Sequence, residues 1–365
     1  MHGIKKIMIV VAVMLVAYVG LRHDAVFYQR QLAEVVAVQN TRTTIQHDEF
    51  NNVTHHTNQR VHIRLLNGQA KGTVTTISNS YDSSLALTQP LKLGMQIFLS
   101  SVHGGHGWQF RTMKRDATWL PLLLGMFTLV MVQMGQAGRK TVLAMVVNMG
   151  LFILTTYLSS RMQDAAVFWL FIIFSVLAAI ITLGLVMGFQ QEQTWTVMIT
   201  VVSTIFLTLG LAQLVFWLTN ERGMHFELMT FITQLPGPMF MAMTLVGVLG
   251  AVMDEATDMI ATLYALLMAN PKVTVRQLIT AGRHVGQEIF GALSNVLFLI
   301  FMANEIPMTL LYLRNGNNIG YTFQMNLSLG MIQTLISAIG IVLTVPVGIF
   351  WVWLFRSRRT RGMMP

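Results

Sequence analysis

The chain has 365 residues, of which 54% are hydrophobic and only 11% are charged, whereas a soluble domain carries about 25% charged residues. It contains no cysteine, which excludes disulfides and thiolate metal sites. Much of its net charge of +9 lies beside apolar segments and forms no basic patch, so we expect an α-helical integral membrane protein that binds no nucleic acid.

The first element is an apolar segment, residues 7–21, preceded by Lys5 and Lys6. This arrangement is typical of a signal sequence, but no small-residue cleavage site follows it. We therefore expect residues 1–21 to form an uncleaved signal-anchor helix with its N-terminus in the cytoplasm.

A polar region, residues 22–118, follows the anchor. Apolar and polar residues alternate over 60–65 and 72–77, which predicts two strands, and Asn67-Gly68 between them is a hairpin turn pair. Residues 94–99 predict a further strand. We expect a small extracytoplasmic β-barrel of the OB or SH3-like kind.

This outer domain is rich in histidine, which is the residue type expected of a metal site or a pH sensor. The spacing of the histidines matches no compact set of metal ligands, so we favour solvent-exposed histidines and no metal. They are His47, His55, His56, His62, His103 and His106.

Seven further apolar segments approach or exceed the roughly 20 residues that cross a bilayer. With the anchor they make eight crossings, which place both termini and the basic tail 356–365 in the cytoplasm and residues 22–118 outside. Residues 119–355 form the predicted seven-helix membrane domain. Its segments are 119–136, 141–160, 165–189, 195–218, 239–268, 289–303 and 331–355.

Three carboxylates, Asp254, Glu255 and Asp258, lie within the apolar segment 239–268. Asp254 and Asp258 are four residues apart and share one helical face. In a dry site, like charges this close cannot all ionise, so the set could bind and release a proton or a cation. Alternatively, the helix breaks at Met253 and the acids lie at the inner membrane surface.

The same segment would be about 45 Å long as one helix, against a hydrocarbon core of about 30 Å, so it must tilt, protrude or break. The preceding Pro236, Gly237 and Pro238 predict a helix break, of the kind that forms re-entrant elements in transporters. An ordinary turn fits these residues as well.

The next segment carries a polar stripe. Glu288, Gly291 and Asn295 recur at helical spacing with Ser294 beside them, and we expect Glu288, Ser294 and Asn295 to face Asp254 and Asp258. Arg283 either pairs with one acid or marks the interfacial start of the helix. Close helix packing is expected at Gly247, Gly250 and Gly291.

Two motifs, 247–254 and 286–295, together with Asn270-Pro271, resemble the YibE/F-like family of bacterial multispan membrane proteins. The similarity extends from about Trp119 onward, and the anchor with its outer domain resembles the longer, YibE-type members. The resemblance implies a hetero-oligomer with a shorter partner of the same family, in the lipid bilayer. It supplies no substrate.

The chain departs from the family pattern in two places. Gln287-Glu288 stands where the family usually has Arg-Asp, and acids are unusual in the family at Glu255 and Asp258. The resemblance therefore favours Asp254 as the functional acid.

Two functions remain open. The first is a proton- or cation-coupled transporter or permease subunit, for which Asp254→Asn would abolish function. The second is a membrane scaffold or envelope-assembly factor whose outer domain binds a partner, for which deletion of residues 40–111 would do so. No nucleotide-binding motif is visible, and the two aspartates lie on one helix, so we expect no enzyme and no cofactor.

Overall fold

The structure is a computed structural model that describes residues 2–47, 49, 52–85, 87–101, 107–162, 166–226, 229 and 235–361. The chain divides into two compact units, residues 1–139 and 140–365. Eight helices are long and apolar enough to cross a bilayer among the residues described, which agrees with the predicted count.

The first unit contains a five-stranded antiparallel sheet in the order β3-β2-β1-β4-β5. Alternating residues such as Val35, Ile63 and Ile97 are buried on one face, as the period of a half-buried strand requires. The edge strands β3 and β5 contact each other, but no ladder of hydrogen bonds joins them in the described residues. The described strands therefore form an open sheet and not the closed barrel that was expected. The elements are α1 (His2–Arg22), β1 (Leu32–His47), β2 (Val53–Leu65), β3 (Val74–Asp82), β4 (Gln96–Ser101), β5 (Trp108–Met113) and α2 (Asp116–Met134).

The predicted pairing of the strands around Asn67 is confirmed, but the two-residue turn is wrong. β2 ends at Leu65 and β3 begins at Val74, so eight residues connect them. The side chain of Asn67 is buried, accepts a hydrogen bond from the backbone N–H of Leu32 at 2.8 Å and donates to the carbonyl of Arg30 at 2.8 Å. These bonds to the start of β1 hold the longer loop in place.

A buried ion-pair network lies where the sheet of this unit meets its two helices. The side chain of Lys114 is 0% exposed, and its ammonium lies 3.0 Å from Asp24 and 2.8 Å from Asp116. It also donates to the carbonyl of Leu21 and lies over the ring of Tyr28. Burial is the largest cause that raises the pKa of Tyr28, and a hydrogen bond to Asp116 is the second. The Tyr28 hydroxyl therefore keeps its proton and donates it to Asp116 in a hydrogen bond.

The second unit is a helix bundle. Its helices are α3 (Gln136–Ser159), α4 (Ala166–Met187), α5 (Glu192–Thr219), α6 (Pro236–Ala269), α7 (Val275–Arg314), α8 (Ile319–Thr322) and α9 (Ser328–Arg361), with a π-helical turn, Phe323–Leu327, between the last two. α7 has 40 residues and is about 60 Å long. The predicted segment 289–303 covers less than half of this helix.

α6 packs against α4, α5 and α9 and forms the centre of the bundle. The hydroxyls of Thr196 and Tyr264 are 2.8 Å apart, and the rings of Phe216 and Phe240 are 6.3 Å apart, so α5 runs antiparallel to α6. α6 begins at Pro236 and continues to Ala269, so the Pro-Gly-Pro segment forms its first turn, where a missing N–H costs no helical bond. Neither an interruption within this helix nor a break at Met253 is present.

Candidate functional site

The structure separates the three acids of α6. Glu255 is 0% exposed, whereas Asp254 and Asp258 both lie on the exposed face of the helix. Successive helical residues are rotated by about 100°, so Asp254 and Asp258 lie about 40° apart on the exposed face. Glu255 is rotated by about 60–100° from them and enters the bundle. The sequence pointed to Asp254 as the acid most worth testing, but Glu255 is the one enclosed by protein.

Glu255 lies deep along its helix. It is nineteen residues after Pro236 and fourteen before Ala269, which places it about 21 Å or more from either end. Neither carboxylate oxygen has a hydrogen-bond partner among the described residues. Burying an isolated ionised carboxylate is very unfavourable, so such a group is favoured in its neutral, proton-carrying form.

The helix register shows which side chains lie level with Glu255. Because Tyr264 meets Thr196 and the helices are antiparallel, position 255 lies level with α5 near Thr204. On the other side, a Cβ at Gly340 would lie 3.1 Å from Val252, and a Cβ at Gly348 would lie 2.2 Å from Met259. Position 255 falls between these two contacts.

Buried hydroxyl groups lie level with Glu255 on α9 and on α5. Thr344 of α9 lies midway between Gly340 and Gly348, is fully buried and donates to the carbonyl of Gly340 at 2.9 Å, which leaves its oxygen able to accept. On α5 a row of threonines recurs at four-residue spacing, so it lies on one helical face. Its members are Thr196, Thr200, Thr204 and Thr208, and Thr194 near the start of the helix is buried as well.

Most of this row is not hydrogen-bonded. The hydroxyls of Thr194, Thr200, Thr204 and Thr208 have no partner within the described part of the chain, and the hydroxyl of Ser175 on α4 has none either. Thr residues in helices usually bond back to the carbonyl four residues earlier, as Thr196 does. A carboxylate with unpartnered hydroxyls at its level can bind a proton or a small cation.

The predicted polar stripe of α7 does not join this site. Gly282 and Gly286 turn toward Ile349 and Val345 of α9, and Glu288 and Asn295 point the opposite way and are exposed. Ser294 is half-buried with an unpartnered oxygen. Glu288, Ser294 and Asn295 make no hydrogen bond or ion pair with any residue that the structure describes.

Of the three glycines predicted to allow close helix packing, one lies against a neighbouring helix and two do not. A Cβ on Gly247 would lie 3.6 Å from Gln333 and from Ser337, which is ordinary packing, whereas Gly250 and Gly291 face open space. Among the described residues, tight contacts between helices of the bundle lie at five glycines that the sequence analysis did not select. They are Gly282, Gly286, Gly330, Gly340 and Gly348.

The remaining candidates stand apart from Glu255. Arg283 forms no ion pair within the described residues, so its predicted bond to an acid is not found there.

In the outer domain, His56 contacts Asp82 at 2.7 Å and His62 contacts Thr76 at 3.0 Å. His47 and His55 are exposed, and His103 and His106 lie outside the described residues. No group of three potential metal ligands occurs in the part of the chain described.

A second polar cluster was missed by the sequence analysis. Glu305 on α7 is half-buried and interacts with Asn326 of the π-helical turn, and Asn326 donates a hydrogen bond to Thr309 at 3.0 Å. The apolar segment defined from the sequence ended at Ala303, so Glu305 fell outside it. The helical pattern of apolar residues continues to residue 314, and following it that far would have placed Glu305 on the same helix.

Comparison with known families supports the resemblance drawn from the sequence. The model of the family described as YibE/F-like protein matches residues 122–358, and that of the YibE/F family N-terminal domain matches residues 26–112. No curated protein and no solved structure matches the chain at a significant level.

Proposed function

Since this chain belongs to the YibE/F-like family, we propose that it is a multi-pass membrane transporter subunit in which Glu255 carries the coupling proton. The observation that carries the proposal is the complete burial of Glu255, without a hydrogen-bond partner in the described residues, deep in a helix bundle. Ionisable residues in such positions mark ion pathways and proton relays.

The helices support a bilayer location through their length and composition. Eight of them meet the requirement for crossing, and the basic residues flanking them favour both termini in the cytoplasm. The sheet-containing segment 22–118 then lies on the extracytoplasmic side. Ion pairs inside that segment would be compatible with an aqueous surface.

The hydroxyl row on α5 suggests how a proton reaches Glu255. Thr196, Thr200, Thr204 and Thr208 rise along one face in steps of about 6 Å, and Glu255 lies level with the middle of the row. Hydroxyl groups both donate and accept hydrogen bonds, so a chain of them, bridged by water, can pass a proton. The α5 row is the proposed route between Glu255 and one membrane face.

The proposal is tested by proton movement in proteoliposomes that contain a pH-sensitive dye. A membrane potential is imposed with and without a low-molecular-weight extract of the producing cells, which serves as the source of substrate. We expect the wild-type protein to move protons and Glu255→Gln to lose this activity. Asp254→Asn and Asp258→Asn are matched controls that should retain it.

Two results would contradict this function. Wild-type rates in a folded Glu255→Gln variant would remove the role of the carboxylate. A wild-type protein that moves no proton under either condition would argue against coupled transport and favour a scaffold, whose function should depend on the outer domain.

The exposed acids support assembly with another subunit. Asp254 and Asp258 lie midway along an apolar helix, and a charge facing hydrocarbon there costs about 2.5–3.5 kcal/mol on insertion scales. A neighbouring chain would cover them. A photo-crosslinking residue at Ala261, on the same exposed face, should capture that subunit in cells, whereas one at Leu207 of α5, which is also exposed, should not. Equal labelling from both positions would contradict the assembly.

A further inference from the structure

An open groove runs between α7 and α9 in the helix bundle. It has a volume of about 600 Å³, within the range of about 300–1,000 Å³ typical of small-molecule sites. The groove follows the antiparallel contact of the two helices, in which Gly282 meets Ile349 and Gly286 meets Val345. Its walls are almost entirely apolar and include Ile279, Phe290, Val342 and Phe350.

Two polar side chains interrupt this apolar lining. Arg283 and Gln287 are four residues apart, so they project from the same face of α7 into the groove. Arg283 has no ion-pair partner in the described residues and its side chain is exposed. The groove therefore combines a long apolar surface with one uncompensated cation and one neutral donor.

The order of residues along the groove matches an amphipathic molecule. Trp353 and Val275 lie at the end where α7 begins and α9 finishes, Arg283 follows, and Phe290 and Val342 lie farther in. Tryptophan is enriched at the level of lipid headgroups. Lys272, Arg276 and Arg356 lie near the same end and add positive charge.

We propose that this groove binds an anionic phospholipid of the inner leaflet, with its phosphate at Arg283 and Gln287 and an acyl chain against Phe290 and Val342. Basic pockets between spanning helices on the cytoplasmic side bind anionic headgroups in this way. The inference rests on the proposed bilayer location but not on transport. A neutral apolar ligand would leave Arg283 unpaired, and a free anion would leave the apolar walls unused.

The test uses a phosphatidylglycerol with a photoactivatable acyl chain, added to the purified full-length protein in mixed micelles. Cross-links are mapped by mass spectrometry to the peptides that contain Phe290 and Val342. Labelling should exceed that from the matching phosphatidylcholine by about fivefold, the value expected for one arginine near the membrane surface. Excess inorganic phosphate should not displace the lipid.

Variants separate the charge from the groove. Arg283→Gln should abolish the preference for phosphatidylglycerol, whereas Arg314→Gln, which removes the same charge from an exposed position at the far end of α7, should retain it. Val342→Trp should reduce labelling by both lipids because it fills the groove. Equal labelling by the two lipids in the wild type, an unchanged preference in Arg283→Gln, or displacement by phosphate would each overturn the proposal. Because no transport is measured, these outcomes are independent of the role of Glu255.

Discussion

The two units of the molecule each bury one ionisable side chain completely, but they treat it in opposite ways. In the first unit, Lys114 contacts Asp24, Asp116 and the carbonyl of Leu21. In the second unit, Glu255 has no hydrogen bond or ion pair with any described residue. A paired buried charge holds elements together, whereas an unpaired buried carboxyl is favoured in its neutral form.

This contrast suggests different reasons for the presence of each residue. Lys114 joins the end of α1, the sheet and the start of α2, so its role is explained by the structure alone. Glu255 weakens the bundle that surrounds it, because a buried polar group without partners costs about 1–3 kcal/mol. A residue that costs stability is a candidate for function.

The largest effect on stability is expected from Lys114→Met. It leaves Asp24 and Asp116 without their cation, and breaking such a pair costs about 3–5 kcal/mol. Thermal unfolding followed by the circular dichroism of the sheet should show a strong loss. Lys71→Met, at an exposed lysine of the same unit, should change little; equal effects of the two variants would remove the structural role of Lys114.

A smaller loss is expected from Gly348→Leu next to the Glu255 site. A side chain at this position would meet Met259 and Thr200, and overpacking of a core costs about 1–3 kcal/mol. Unfolding by denaturant in mixed micelles measures the difference. Gly250→Leu is the matched control, since nothing lies within 4 Å of its Cβ position. If Gly250→Leu proved the more damaging, the packing of α6 against α9 described here would be wrong.

Glu255→Leu should change the free energy of unfolding in the opposite direction from Lys114→Met. It replaces an unpartnered carboxyl by an apolar group of similar size and should raise the free energy of unfolding by about 1 kcal/mol. The same unfolding assay gives the comparison. A loss of several kcal/mol would mean that Glu255 has a stabilising partner.

The smallest change in stability is expected from Thr204→Val. The variant keeps the shape of the side chain and removes a hydroxyl without a partner, so stability should change by less than about 1 kcal/mol. Proton movement should nevertheless slow, because the row on α5 loses one member. Thr262→Val, which alters an exposed hydroxyl of α6, should move protons at the wild-type rate. Identical rates in the two variants would exclude Thr204 from the route.

The sequence predicted the helices well because hydrophobic periodicity and length decide them. Eight long apolar helices and an antiparallel sheet around residues 60–99 were expected and are present. Helix ends were predicted less well, since α7 continues through amphipathic turns on both sides of its apolar segment. The loop at Asn67 was misjudged because its side chain bonds to a distant segment.

For the candidate site, the sequence predicted the segment that carries the three acids but not which of the acids is buried. Spacing correctly placed Asp254 and Asp258 on one face, but periodicity cannot tell which face of an apolar helix meets the bundle. Helix packing decides that, and it buries Glu255 inside the bundle. The four-residue spacing of the threonines on α5 is visible in the sequence. Their position level with Glu255 could not be inferred from it, because the sequence does not show which helix packs against α5.

The proposed function requires that Glu255 carries a proton inside the bundle, which infrared spectroscopy can detect. The difference spectrum between the wild-type protein and Glu255→Gln at neutral pH reports whether that carboxyl is protonated. We predict the loss of a carboxylic acid C=O band, with no such loss in Asp254→Asn. The loss of ionised carboxylate bands alone would show that Glu255 is ionised and carries no proton.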